Sequence, residues 1–422
     1  MAEPVADAPR DASRPAPVPA PTGPAPLLRL IAAFTFPKFR NMWLAAFTSA
    51  IGTWVQRIAQ QWLILSLTGS AFFLGLDTFL AELPLLLFTL IGGVVADRYD
   101  RRHLLMGSQS LQMATAVTLT ALVFFDAVQV WHILVLSFVA GLAQAFGGPA
   151  FQSLIPSLVP RQHLPNAVAL NSIQFNLAQM IGPAIGGVVM VALGMAACFG
   201  LNSLSFLVVI AVLGLMRVTP PSPATRQRIL TELGSGLRYV RRSRALLGLT
   251  ALAFATTSLA LPIRAFLPVF ADGDVLLLSR MMTTFGAGAV VGALVVAWLG
   301  RFDHMGRALL LSQIVFGGIV AAFALMPIGG ASYVLLFLGG TALLMIFSLT
   351  NSLVQLTVPD ELRGRVISIY LVAFRGGMPL GSLVSGTLIA QFSAPAVIAV
   401  NGCLLSLVAA LFLFGHRQVR EL

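Results

Sequence analysis

Beyond about residue 40 the chain is a succession of apolar stretches of roughly 20 residues separated by short polar breaks. That is the length an α-helix needs to cross a hydrocarbon layer of about 30 Å. The pattern predicts helices at roughly 40–67, 71–96, 103–126, 131–151, 166–192 and 196–217. After a linker, six more are expected at roughly 245–271, 275–300, 307–327, 331–357, 364–391 and 395–415. The fold class is therefore an all-α membrane protein of twelve transmembrane helices, in two six-helix bundles spanning 39–217 and 245–415. Residues 1–38 are rich in Pro and Ala and lack the apolar core of a signal peptide, so a disordered tail is expected there. A second short tail covers 416–422. The linker 218–244 opens with Pro220-Pro221-Ser222-Pro223 and continues with a narrow apolar stripe, Leu230, Leu233, Leu237 and Val240. Arg226, Arg228, Arg238, Arg241 and Arg242 flank the stripe, which suits an amphipathic helix lying on a membrane surface; a solvated loop is the alternative.

Composition agrees with this pattern. Of 422 residues 58% are hydrophobic and only 10% charged, where a soluble chain carries about 25% charged residues. The net charge of +11 would suit a nucleic-acid partner until the charges are placed. Four of the 26 basic residues (Arg57, Arg264, Arg280 and Arg375) fall within membrane segments, and the others lie in alternate, same-side connections. The opposite loops carry Asp272 and Asp274. Cytoplasmic loops attract Lys and Arg, so both tails and the linker are expected inside the plasma (inner) membrane. The basicity then means topology and attraction to anionic lipid, with no nucleic-acid partner. Cys198 and Cys403 sit in apolar segments without metal-ligand spacing, and His103, His132, His163, His304 and His416 do not cluster. No phosphate-binding loop, zinc-protease motif or nucleophile elbow occurs, so neither cofactor nor metal nor enzyme activity is expected.

The two halves repeat each other. Val159-Pro160 recurs as Val358-Pro359 and Asn202 as Asn401 at one common offset, and Asp97 has a counterpart in Asp303, followed by Gly306-Arg307. Inside the membrane, Ser49, Thr53, Gln56, Arg57 and Gln60 share one face of the first helix. Lipid cannot satisfy such groups, so that face should line a water-filled cavity or a tight helix contact. Ser172, Asn176 and Gln179 form a similar stripe on the fifth helix, and Gln144 on the fourth is a further cavity candidate. The stripe on the fifth helix continues as Gly182-Pro183 and Gly186-Gly187, while the eighth offers Gly288 and Gly292. Small residues four apart allow close helix approach, so Gly182 and Gly186 are expected against Gly288 and Gly292 at the seam between halves. Intramembrane charges usually pair. Matching depths couple Glu82 with Arg375 near the midplane and Asp77 with Arg57 nearer the outside.

The stretch Gly93 to Arg102, GVVADRYDRR, joins two membrane segments. A carboxylate, Asp97, beside Arg98, Arg101 and Arg102 can form charge-assisted bonds in one conformation and break them in another. Simple positive-inside anchoring is the alternative. This stretch resembles the loop 2–3 signature of the major facilitator superfamily, with Asp100 where the family usually has Gly. Gln56-Arg57 with Trp62, Gly141 to Phe146, and Leu164 to Pro183 resemble the enterobactin-exporter-like branch, which includes siderophore and macrolide exporters. Leu267 to Phe270 and Arg363 to Val366 carry a weaker likeness in the second half. That branch often has charges around Gln61, Gly147-Gly148 and Phe151, where this chain is neutral, so the family's charge partners do not carry over.

The resemblance implies a secondary transporter working by alternating access, with its substrate site between the halves near the midplane. A proton-coupled exporter of an amphipathic small molecule, acting as a monomer, is the leading expectation. An uptake permease of the same fold stands behind it, and a lipid-handling or sensor membrane protein of another class behind that. Asp97, Arg98, Arg101 and Arg102, with Asp303 and Arg307 in the second half, are expected to gate the inner side. Glu82 is expected to couple protons, with a static Glu82–Arg375 pair as the alternative.

Overall fold

The computed structural model describes residues 31–216, 237–300, 302–359 and 362–422, the side chain of Asp97 excepted. Among the described residues every element is helical. The first half holds α1 (Pro37–Thr68), α2 (Ala71–Arg98), α3 (Arg101–Phe124), α4 (Val130–Leu154), α5 (Leu164–Leu193) and α6 (Met195–Leu215). The second holds α7 (Arg244–Phe270), α8 (Val275–Leu299), α9 (Met305–Leu325), α10 (Gly330–Thr357), α11 (Arg363–Gln391) and α12 (Ala394–Gly415). Ten of these are long and apolar enough to cross a membrane on composition alone. The other two, α1 with 32 residues and α3 with 24, have the length but carry the polar faces that line the interior. Twelve spans, the number expected from the sequence, are thus accounted for.

Local chemistry sets the helix ends. Pro37 opens α1 at a position where a missing N–H costs nothing. Gly69 closes it in the left-handed region at φ 60°, its N–H donating to Leu65 O at 2.7 Å. Asp100 caps α3, its carboxylate accepting from Arg102 N at 2.9 Å, and Asp274 does the same for α8 through Leu277 N. One span departs from regular helix. In α7, Thr256–Ala260 is π-helical, and the chain resumes as Ile263–Phe270. Gln313 of α9 fills the break, its Nε2 donating to Thr256 Oγ1 at 2.7 Å and to Leu252 O at 3.3 Å. Apolar periodicity could not show this irregularity, because the residues on both sides of the break are equally apolar.

The halves meet along two seams, α2 against α11 and α5 against α8. Both are tightest at the end remote from the chain termini. A Cβ added at Gly75 would lie 2.4 Å from Ser382 O, so α2 and α11 touch backbone to backbone there. In the other seam Ser279 of α8 donates its hydroxyl to Pro183 O at 2.8 Å and packs on Gly187. The outward faces carry exposed apolar side chains such as Leu215, Leu294, Leu411 and Phe414, suited to lipid.

Two expectations change in detail. The 416–422 tail is not loose: Arg417–Arg420 is a short helix, and Val419 is fully buried against Gly248 of α7 and Gly306 of α9. Of the linker stripe, Leu230 and Leu233 lie outside the described residues. Residues 237–242 are helical, with Val240 buried and Arg238, Arg241 and Arg242 exposed.

Candidate functional site

A central cavity of about 850 Å³ lies between the halves, lined by side chains of α1 to α8 and of α11. Its wall reaches Met42, Leu105, Gln152, Asn171 and Ser368, all near the end of the bundle that carries the chain termini. At the opposite end it stops at Asp77, Leu119 and Leu136, below the two tight seams. The molecule is therefore open at the terminal end and sealed at the far end.

Polar residues concentrate on the first half's wall. Thr53, Gln56, Arg57 and Gln60 of α1 all line the cavity, as their spacing implied. Gln56 accepts at Oε1 from Asn202 Nδ2 of α6 at 2.7 Å. Gln60 Nε2 donates to both carboxylate oxygens of Asp77 (2.9 and 3.1 Å) and to Ser137 Oγ of α4, while the Ser137 hydroxyl donates to Asp77. Asp77, only 6% exposed, thus has its carboxyl group met by neutral partners from two neighbouring helices. Gln144 of α4 also lines the cavity, accepting from Gln112 of α3 at 3.3 Å.

The expected ion pairs are not formed. No ion pair among the described residues joins Asp77 to Arg57 or Glu82 to Arg375, although all four side chains line the cavity. A shared depth does not fix azimuth around the bundle, so residues on one cavity wall need not meet. Arg57 instead stacks on Trp54, its Cζ 5.0 Å from the ring centroid. Arg264 of α7 stacks on the same indole at 4.8 Å and on Phe285 at 5.6 Å. Arg264 is within electrostatic reach of both Arg57 and Glu82.

On α5 the cavity face is Asn171, Gln174 and Phe175. Asn176 and Gln179 are not on it: Asn176 bonds back to Ser172 O at 2.8 Å, and Gln179 is buried where Gly286 of α8 crosses. One residue of helix is 100° of rotation, so a stripe assigned one step out of phase faces a neighbour instead of the cavity. The same shift corrects the glycine pairing. Gly182 and Gly186 pack on Trp54, Val55 and Ile58 of α1, and Gly288 and Gly292 pack on Phe337 and Thr341 of α10. The α5–α8 contact itself exists, made by Pro183, Gly187, Ser279 and Gly286. Sequence reasoning also missed Trp54, Ser137 and the α3 face of Gln109, Gln112 and Thr115, whose three- and six-residue spacing was a readable signal.

In the α2–α3 loop, Arg101 donates to Ser153 O at the end of α4 (2.9 Å). Arg102 donates to Leu213 O and to Gly214 O at the end of α6. These arginines satisfy carbonyls that a helix C-terminus leaves open and tie three helix ends together. Arg98 is exposed, and the side chain of Asp97 lies outside the described residues. In the second half Asp303 and Arg307 are both exposed and form no ion pair with a described residue.

Twelve spans in two repeated halves around a cavity open at one end define a multi-pass membrane transporter of the major facilitator type. The chain belongs to the transmembrane secretion effector family, whose model matches residues 29–421. It is similar to the enterobactin exporter EntS of Shigella boydii serotype 4 (strain Sb227), 26% identical over 398 residues, covering 94% of this chain and 95% of that protein. The exporter EntS of Escherichia coli O1:K1 / APEC matches to the same extent, 26% over 398 residues, with the same coverage of each chain. Among solved structures, a bacterial homologue of the human lysosomal transporter Spinster, in an inward-facing and unoccupied conformation, superposes with a TM-score of 0.71. It is 14% identical, over 94% of this chain and 98% of that one. The nucleoside transporter NupG gives 0.70 at 13% identity, over 89% and 98%.

Proposed function

We propose that this protein is a proton-coupled exporter of an amphipathic organic molecule, seen open toward the cytoplasm. The cavity supports this most directly: it is wide at the terminal end and sealed at the far end by two helix seams without intervening large side chains. The positive-inside rule assigns the terminal end to the cytoplasm, so a cytoplasmic molecule can enter between the halves and leave when the seams part. Family membership and the export named for the relatives support the direction. Glu82, lining the cavity within reach of Arg264, is the carboxylate whose protonation would link the proton gradient to that switch. Asp77 is already held by Gln60 and Ser137, which suits it to a structural role.

Everted membrane vesicles containing the protein test this reading, with radiolabelled enterobactin and a panel of amphipathic drugs as cargo. Uptake on imposing an inside-acid gradient is expected, with Glu82→Gln losing gradient-driven uptake while retaining cargo exchange. No gradient-driven uptake of any cargo, with the protein correctly folded, would overturn export. Full gradient-driven uptake by Glu82→Gln would move coupling elsewhere.

A further inference from the structure

Arg57 and Arg264 share one indole at the closed end of the cavity, yet neither forms a hydrogen bond or ion pair with a described residue. Each guanidinium presents five donors and no acceptor. Holding two such cations against one ring in a partly desolvated site raises mutual repulsion that the ring's quadrupole offsets only in part. The nearby carboxylates offset it only at a distance, Asp77 toward Arg57 and Glu82 toward Arg264, without an ion pair. Asp77 is engaged by Gln60 and Ser137, and Glu82 stands beyond ion-pair distance. Among the described residues, three arginines (Arg57, Arg264 and Arg375) face two carboxylates around the cavity, with neither lysine nor histidine on its wall.

From this geometry we infer that Arg57, Trp54 and Arg264 form an anion subsite, and that the cargo is an amphipathic organic acid. Its acid group bridges the two guanidiniums, and its apolar body trails toward the mouth along Leu85, Val372 and Met378. The inference rests on the transporter reading above and adds directionality to it. Arg57 and Trp54 belong to α1 in the first half, Arg264 to α7 in the second, just beyond the π-helical break. While the far end is sealed, one acid group can use both cations. When the halves part there, it loses one of them, so affinity falls on the side where an exporter must release. Bidentate, charge-assisted contacts are the strong ones, so losing one is a large change.

The test uses a matched pair of probes, 4-(1-pyrenyl)butyrate and the neutral 4-(1-pyrenyl)butyramide, with the full-length protein in nanodiscs. Fluorescence anisotropy gives each Kd after subtraction of empty nanodiscs, and efflux of both probes from expressing cells is measured in parallel. The acid should bind roughly tenfold or more tightly than the amide. Arg57→Gln and Arg264→Gln should each bring the acid's Kd toward that of the amide. Should Arg264→Gln fail to fold, Arg264→Lys keeps the charge but not the bidentate fork and should lose part of the acid preference, and an unchanged preference would count against the subsite. Equal binding of acid and amide, with both exported, would overturn the subsite while leaving the transporter reading intact. An acid preference that survives both Arg→Gln changes would also overturn it. If neither probe is bound, the subsite falls, and the transporter reading is decided by the vesicle uptake of the wider cargo panel.

Discussion

Replacing Gly75 with Ala should push the protein out of the state described here. The added Cβ would sit 2.4 Å from Ser382 O, where ordinary contact begins near 3.4 Å. The obstacle is backbone, so no side chain can turn aside, and α2 and α11 must separate by about 1 Å. Overpacking of this kind costs about 1–3 kcal/mol. The cost falls only on the state in which the far end is sealed, so the ratio of far-end-open to far-end-sealed molecules should rise about 5- to 150-fold. Thr78 lines the cavity just below this seam and serves as reporter. With Cys198 and Cys403 replaced by Ser, a Thr78→Cys protein is labelled on intact cells by a membrane-impermeant maleimide. Gly75→Ala should accelerate labelling by a factor in that range. Gly386→Ala should act alike, since its Cβ would meet Gly75 Cα at 3.1 Å. Gly107→Ala, with open space around it, should change nothing. An unchanged rate in both seam variants, at normal expression and melting temperature, would refute the reasoning.

Further outcomes rest on the charge asymmetry, on the Arg102 contacts and on the sequence reading of Asp97. Cysteines at Arg241 and at Ala127 should label from opposite sides of the membrane, and external labelling of position 241 would invert the topology. Arg102→Ala removes the tie between α3 and the end of α6, one bond of it part-buried and the other exposed; the part-buried one is worth at most about 1.5–3 kcal/mol and the exposed one less. A lowered melting temperature in detergent is expected, and an unaltered melt would leave the contact without energetic weight. Asp97→Asn should slow transport at normal expression, whereas an unchanged rate would reduce this acid to an anchor.

The spans and the cavity wall of α1 were legible because membrane length and helical period are one-dimensional signals. Thr53, Gln56 and Gln60 line the cavity, and the α5–α8 contact expected from small-residue spacing and the α2–α11 neighbourhood expected from charge pairing are both present, through other residues than those expected. What the sequence could not supply was azimuth between helices. Asn176 and Gln179 lie one step from the α5 face that lines the cavity, and Gly288 and Gly292 turned out to serve α10. Glu82 and Arg375 line the same cavity without forming an ion pair, and Arg264 finds an aromatic partner, Trp54, which pairing by charge does not search for. The break in α7 is visible only once Gln313 is seen filling it.

The central claim is that one rocking motion, linked to protonation of Glu82, opens one end of the cavity while closing the other. Spin labels at Leu193 and Leu276 span the halves at the far end, and labels at Ser157 and Leu356 span them at the terminal end. Distance distributions for both pairs, measured by pulsed electron resonance across a pH series in wild type and Glu82→Gln, test it directly. Reciprocal changes are expected in wild type, one distance lengthening as the other shortens, with no pH response in Glu82→Gln. Distances that move together, or a pH response equally strong in Glu82→Gln, would contradict it.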